Sequence, residues 1–140
     1  MSWRKRIEKV LIGMDLPDGS PPRSKLRVET KTGAYTCIDS DSGTLFVAST
    51  SDVTFTLPAV TLTGWHAWFS LVTDTEMLIL SAEADNIIGF NDVDLDSVSY
   101  TTAGDQIGGS FHVVSTGTKW LVMPLNYADG VLTQTISLVD

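Results

Sequence analysis

Residues Thr102–Pro124, TAGDQIGGSFHVVSTGTKWLVMP, decide how this chain is read. From Ser110 to Ser115 the side chains alternate, with Phe111 and Val113 on one face and His112 and Val114 on the other. Lys119–Met123 repeats the pattern, setting Trp120 and Val122 opposite Leu121 and Met123. A period of two, rich in β-branched and aromatic residues, predicts a strand on each side of Ser115–Thr118. Gly117 supplies the positive φ that a tight reversal needs. Upstream, Gly104, Gly108 and Gly109 let the backbone turn or approach a neighbour where a Cβ would clash. The stretch is a scaffold signature, with nothing catalytic on its face.

Working outward, strands are expected at Lys25–Glu29, Ala34–Ile38, Thr44–Ala48, Val53–Leu57, His66–Val72, Met77–Ser81, Asn86–Ile88, Ser97–Thr101, Phe111–Ser115, Lys119–Met123 and Val131–Leu138. Polar clusters divide them, including Asp39–Gly43 and Asp92–Asp96, and the acidic turns Asp39–Asp41 and Asp92–Asp96 are expected to face solvent. Short strands at this spacing, with almost no helix, predict an all-β fold: an antiparallel β-sandwich or jelly-roll-like domain. No repeat of fixed period is visible. At 140 residues the chain suits one such domain, and 43% apolar content makes it globular.

The charge is divided between two regions. Residues 1–31 hold eight of the nine basic side chains against four acids, a net of +4. Residues 32–140 hold Lys119 alone against thirteen acids, a net of −12. The division predicts a basic arm, 1–31, and an acidic β-domain, 32–140, with different partners. An acidic body repels phosphates, which argues against nucleic acid as ligand. No apolar run is long enough for a bilayer, and Val10–Ile12 is too short for a secretory signal, so synthesis in the cytoplasm is expected, with no membrane partner.

Within the arm, Ser2–Gly13 has the pattern of a short helix. Ser2 is placed to cap it, and Trp3, Ile7, Val10 and Leu11 share one face. Asp15–Ser24 carries three prolines and favours extended chain. Three helical turns are marginal alone in water, so the arm, extended or short-helical, is expected to dock on an acidic partner. The docking residues are Trp3, Arg4, Lys5, Arg6, Ile7, Lys9, Val10, Leu11, Arg23, Lys25 and Arg27.

Candidate chemistry is sparse. Asp92-x-Asp94-x-Asp96 opens like a calcium loop, but Ser97 stands where glycine is needed and Ala103 where glutamate is needed, so a solvated turn without metal is expected. His66 and His112 sit in strand patterns and read as strand histidines. Cys37, the single cysteine, lies in a strand-like setting and reads as a small buried hydrophobe. No Ser occupies a G-x-S-x-G elbow, and Gly104–Gly109 lacks the Lys-Ser/Thr of a phosphate loop. No enzyme activity and no cofactor is expected. Trp65, Trp68 and Tyr100 remain as candidates for a subunit interface or a glycan contact, with Trp68 on the same face as His66 and Ser70. The low charge and a mean hydropathy of +0.13 imply more apolar surface than one small sandwich hides, which predicts a homotrimer.

The order Tyr35-Thr36…Asp39…Gly43-Thr44-Leu45-Phe46-Val47, then Val53-Thr54-Phe55-Thr56-Leu57-Pro58, then Gly104-Asp105-Gln106-Ile107-Gly108-Gly109, then Gly117-Thr118-Lys119-Trp120, resembles a β-module of bacteriophage virion proteins. The resemblance covers 35–122 and departs at the more aromatic Trp65-His66-Ala67-Trp68-Phe69. It implies a structural protein of the kind found in tail fibres, head fibres and capsid decoration proteins, often trimeric. The small size is similar to a decoration, or cement, protein bound to a major capsid protein or another virion protein. The alternative implied is a fibre module that binds a host glycan.

Overall fold

The computed structural model describes residues 25–100, 106–125 and 136–140. The expected Ser2–Gly13 helix and the docking residues Trp3, Arg4, Lys5, Arg6, Ile7, Lys9, Val10, Leu11 and Arg23 lie outside the described residues. The rest forms twelve strands and a single 3-10 turn. In chain order these are β1 (Arg27–Lys31), β2 (Tyr35–Thr36), the turn Asp39–Asp41, β3 (Thr44–Ala48), β4 (Val53–Thr56), β5 (His66–Leu71) and β6 (Met77–Leu80). There follow β7 (Ile87–Gly89), β8 (Asp92–Leu95), β9 (Ser97–Tyr100), β10 (Ser110–Ser115), β11 (Trp120–Pro124) and β12 (Ile136–Val139). They build a sandwich of a wide sheet, ordered β1-β3-β5-β10-β11-β7-β8, and a narrow one, ordered β12-β9-β6-β4-β2.

The all-β sandwich expected from alternation is present, and its strand directions are mixed. From β1 to β6 the chain passes from one sheet to the other at every strand, so each strand runs parallel to the one before it in its own sheet. The connections step across the core and need no crossover helix. Arg27 lies beside Thr44 and Thr44 beside Ala67, coils of unequal length, which is why no fixed repeat exists in the sequence. The second half adds antiparallel pairs, β10 on β5 and β11, β9 on β6 and β12, and β8 on β7, while β7 joins β11 in parallel.

Alternation drives one face of each strand inward. Phe46, Phe55 and Phe69 meet at the centre with ring centroids 4.8–5.4 Å apart, and Tyr35 tilts onto Phe46 at 5.4 Å. All three phenylalanines are fully buried, and each contributes about 1.5–3 kcal/mol by leaving water. Tyr100 stacks on Phe111 at 4.6 Å, and its hydroxyl accepts a hydrogen bond from the Ser110 amide. A Cβ on Gly109 would lie 2.9 Å from the Tyr100 ring, so the glycine permits this close approach. Gly117 turns the β10–β11 hairpin with φ +97, as the sequence predicts.

Three expectations are corrected. The arm was expected to extend to residue 31, but Arg27–Lys31 is a strand of the wide sheet, paired along its length with β3. Arg27, expected as a docking residue of the arm, stands in this strand: it bonds Glu29, Asp41 and the Ser40 carbonyl, while Lys31 pairs Glu29 and sits 3.6 Å from the Tyr35 ring centre. Hydrogen bonds from Arg27 and then Lys31 hold the Glu29 carboxyl below the usual range. Lys25, from the same expected set, is exposed ahead of β1. Second, Asp41 does not face solvent. It is buried, and its carboxylate accepts from the Tyr35 hydroxyl and the Ile38 amide, both at 2.9 Å, which offsets the cost of burying a charge. Third, Asp92–Leu95 is a strand and not a turn. Leu95 anchors it in the core, and an edge strand tolerates the charges of Asp92 and Asp94.

Candidate interaction surface

The same alternation that fills the core sets the outward positions of the wide sheet. These are Leu45 and Val47 on β3; His66, Trp68 and Ser70 on β5; Ser110, His112 and Val114 on β10; Leu121 and Met123 on β11; and Ile88 on β7, all partly exposed. Register joins them into rows. Val28 lies beside Leu45, Leu45 beside Trp68, Trp68 beside His112, and His112 beside Met123. A flanking row runs His66–Val114–Leu121–Ile88. None of these side chains is an acid or a strong base.

Two polar pairs lie on this face. His66 Nδ1 lies 3.1 Å from His112 Nε2, and the hydroxyls of Ser70 and Ser110 are 2.6 Å apart. Trp68 stacks flat on His112, centroids 4.7 Å and planes 9° apart, and meets His66 edge-on at 4.9 Å. The imidazole bond needs an N–H on one ring and a lone pair on the other, so the pair accommodates one extra proton and not two. Burial, and then the charge of His66, push the His112 pKa down. One nitrogen of each imidazole and the Trp68 indole N–H remain for whatever covers the face to match.

Among the expected contact residues, only Trp68 lies on this face. Trp65 is 2% exposed, packs edge-on against Trp120 at 5.4 Å and donates its indole N–H to the Ile38 carbonyl, so it belongs to the core. Tyr100 is fully buried against Phe111. Both were expected as contacts because aromatic side chains serve either role; the inward register decides. The rim of Trp65 borders a shallow cleft of about 300 Å³ lined by Asp39, Ser42, Leu62, Thr63 and Gly64.

The other candidate groups are engaged structurally. Asp92 and Asp94 lie along β8, Asp94 paired with Lys119 at 3.0 Å, and Asp96 accepts from the Asp85 amide at 2.7 Å. Among the described residues no three His, Cys, Asp or Glu side chains are grouped to hold a metal ion. Cys37 is buried, and burial pushes its thiol up to about 12, which keeps it protonated and unreactive at neutral pH. No described helix is long and apolar enough to cross a membrane.

The sequence placed His66 and His112 on strands but left them unpaired, because 46 residues separate them and only the β5–β10 register unites them. A signal for the rest of the face was available in Leu45–Ala48, an unbroken apolar strand where an exposed one would alternate. Compared with protein-family models and with curated proteins, the chain matches none.

Proposed function

We propose that this protein is a non-enzymatic structural component of a bacteriophage particle, of the capsid decoration type. It works by assembly: the β-sandwich associates with other protein surfaces, and the basic N-terminal segment supplies attachment to the head shell. The observation that carries the assembly part is the charge-free outward row Val28–Leu45–Trp68–His112–Met123 on an otherwise acidic domain. Aromatic and methionine side chains with charge excluded are the composition of an interface centre. The phage setting rests on the resemblance over residues 35–122, and the homotrimer on that resemblance together with the apolar excess.

The test is to add purified protein, with and without residues 1–24, to particles that lack it. Full-length protein is expected to decorate, with part of the affinity lost as salt rises. The truncated protein is expected to fold and not to bind. Equal binding by both would move attachment off the arm, and no binding by either would remove the decoration reading. A second reading, a fibre module that binds a host glycan, draws on the cleft between Asp39 and Thr63, where a carboxylate and hydroxyls border an indole edge. Glycan binding that disappears in Asp39→Ala would favour it.

A further inference from the structure

We propose that the outward face of the wide sheet packs against the same face of further copies of this chain, with Trp68 and the His66–His112 pair at the centre of the contact; this deepens the assembly reading above. Three observations select another copy as the occupant.

The first is charge. Residues 32–140 carry a net of −12, so two copies repel wherever their acids approach. Across β3, β5, β10 and β11 the outward side chains bring no acid, and this is where like-charged domains can meet. A basic partner would select for acids here, and none is present on these strands.

The second is hydrogen bonding. Ser70 bonds Ser110 and His66 bonds His112 within the face, which leaves the Trp68 indole N–H and one nitrogen of each imidazole to be matched across the contact. A second copy of the face brings the same remaining set, N–H donors and an imidazole lone pair, so donor can meet acceptor across a self-contact.

The third is size. The six strands from β1 to β7 across the sheet, leaving out the acidic edge β8, have a spacing of ~4.8 Å and about five residues of length and give roughly 450 Å² per copy and roughly 900 Å² per contact. That is the lower end for a specific interface, so association is expected to depend on concentration in the micromolar range.

The centre of such a contact is sensitive to acid. The groups facing the two imidazoles are Leu45 from β3, Trp68 from β5, Val114 from β10, Leu121 and Met123 from β11, and Ser42 and Gly43 from the preceding turn. None is charged; Asp39 lines the neighbouring cleft beside Trp65. A proton taken up by the pair thus has no carboxylate beside it, and burial between copies makes that charge costly.

The experiment is sedimentation of the full chain over micromolar concentrations, near pH 7.5 and near pH 5, with circular dichroism to verify folding. The wild type is expected to associate, as a trimer on the reading above, and to do so roughly tenfold or more weakly near pH 5. Leu121→Glu, a partly exposed position, is expected to be folded and monomeric. Val47→Glu repeats the test in case Leu121→Glu fails to fold. His112→Gln is expected to associate equally at both pH values. Thr54→Glu, on the outside of the narrow sheet, is expected to leave the oligomer intact. A monomeric wild type, a folded Leu121→Glu or Val47→Glu oligomer, or loss of association only on deleting residues 1–24 would each overturn the proposal. Because isolated protein is used, these results stand apart from particle binding: a self-associating protein that fails to decorate sinks the decoration reading alone.

Discussion

The two outer faces of this sandwich are made by the same rule and come out differently. On the narrow sheet the outward positions are Thr36, Thr54 and Thr56, Leu78 and Leu80, and Ser97 and Ser99, joined in rows such as Thr54–Leu78–Ser99. Hydroxyls dominate; Thr36, Thr54 and Thr56 reach water, and Ser97 and Ser99 are buried. On the wide sheet the corresponding rows read Val28–Leu45–Trp68–His112–Met123 and His66–Val114–Leu121–Ile88. Parallel strands such as β3 and β5 are usually covered on both faces. Here the core covers one face, and the other has the composition of a covered one. The domain's charge is confined to turns and edges in both cases, so what separates the faces is hydrophobicity at fixed charge. The proposed contact rests on that difference.

The layer the two faces share is where substitution should cost most. Phe69→Ala removes a ring that touches both Phe46 and Phe55, and is expected to cost about 3–5 kcal/mol in urea unfolding. Gly109→Ala places a methyl against the Tyr100 ring, which is fully buried and has no room to withdraw. The expected loss is about 1–3 kcal/mol, and a loss near zero would mean the ring shifts freely. Both losses should appear in the monomer, and so calibrate effects seen only in the oligomer.

Changes on the faces themselves should be smaller in the monomer and unequal in the assembly. Leu78→Lys, outside the narrow sheet, is expected to alter monomer stability by about 0.5 kcal/mol or less and to leave association unchanged. Leu121→Lys should alter the monomer as little, while abolishing association. Equal behaviour of the two in sedimentation would erase the distinction between the faces.

The pH dependence is the mildest test. His112 is held below the ordinary imidazole value, mainly by burial and then by His66, so the folded protein binds fewer protons than the unfolded chain once pH falls below about 6.5. Stability is therefore complete above that value and declines as pH drops towards the depressed one. Thermal melts of His112→Gln should lose this part of the slope, and Thr54→Glu should keep it. An unchanged slope in His112→Gln would place the titration elsewhere.

Much of the fold was legible because alternation exposes it. Thr44–Ala48 has the bounds the sequence predicts, and Val53–Thr56, Ser110–Ser115 and Trp120–Pro124 differ from expectation by about a residue at their ends. Direction was not legible, since a period of two reads alike forwards and backwards; the passage from sheet to sheet made β1–β6 parallel. β8 was hidden because Asp92 and Asp94 have turn chemistry, while the residue that holds the strand, Leu95, stands alone at its end. The burial of Asp41 depends on Tyr35 and on Arg27, a residue assigned by charge to the arm. Of the three aromatic residues named for a contact, Trp68 falls on the outer face and Trp65 and Tyr100 fall in the core, since composition does not give the face on which an aromatic ring falls.

Hydroxyl-radical footprinting of the full chain, dilute and concentrated, tests the contrast between the faces most directly. The account predicts that Trp68 and Met123 become protected as the protein associates, while Leu78 and Leu80 react equally at both concentrations. Protection of Leu78 and Leu80 with Trp68 and Met123 unchanged would contradict it, and would put the contact on the narrow sheet.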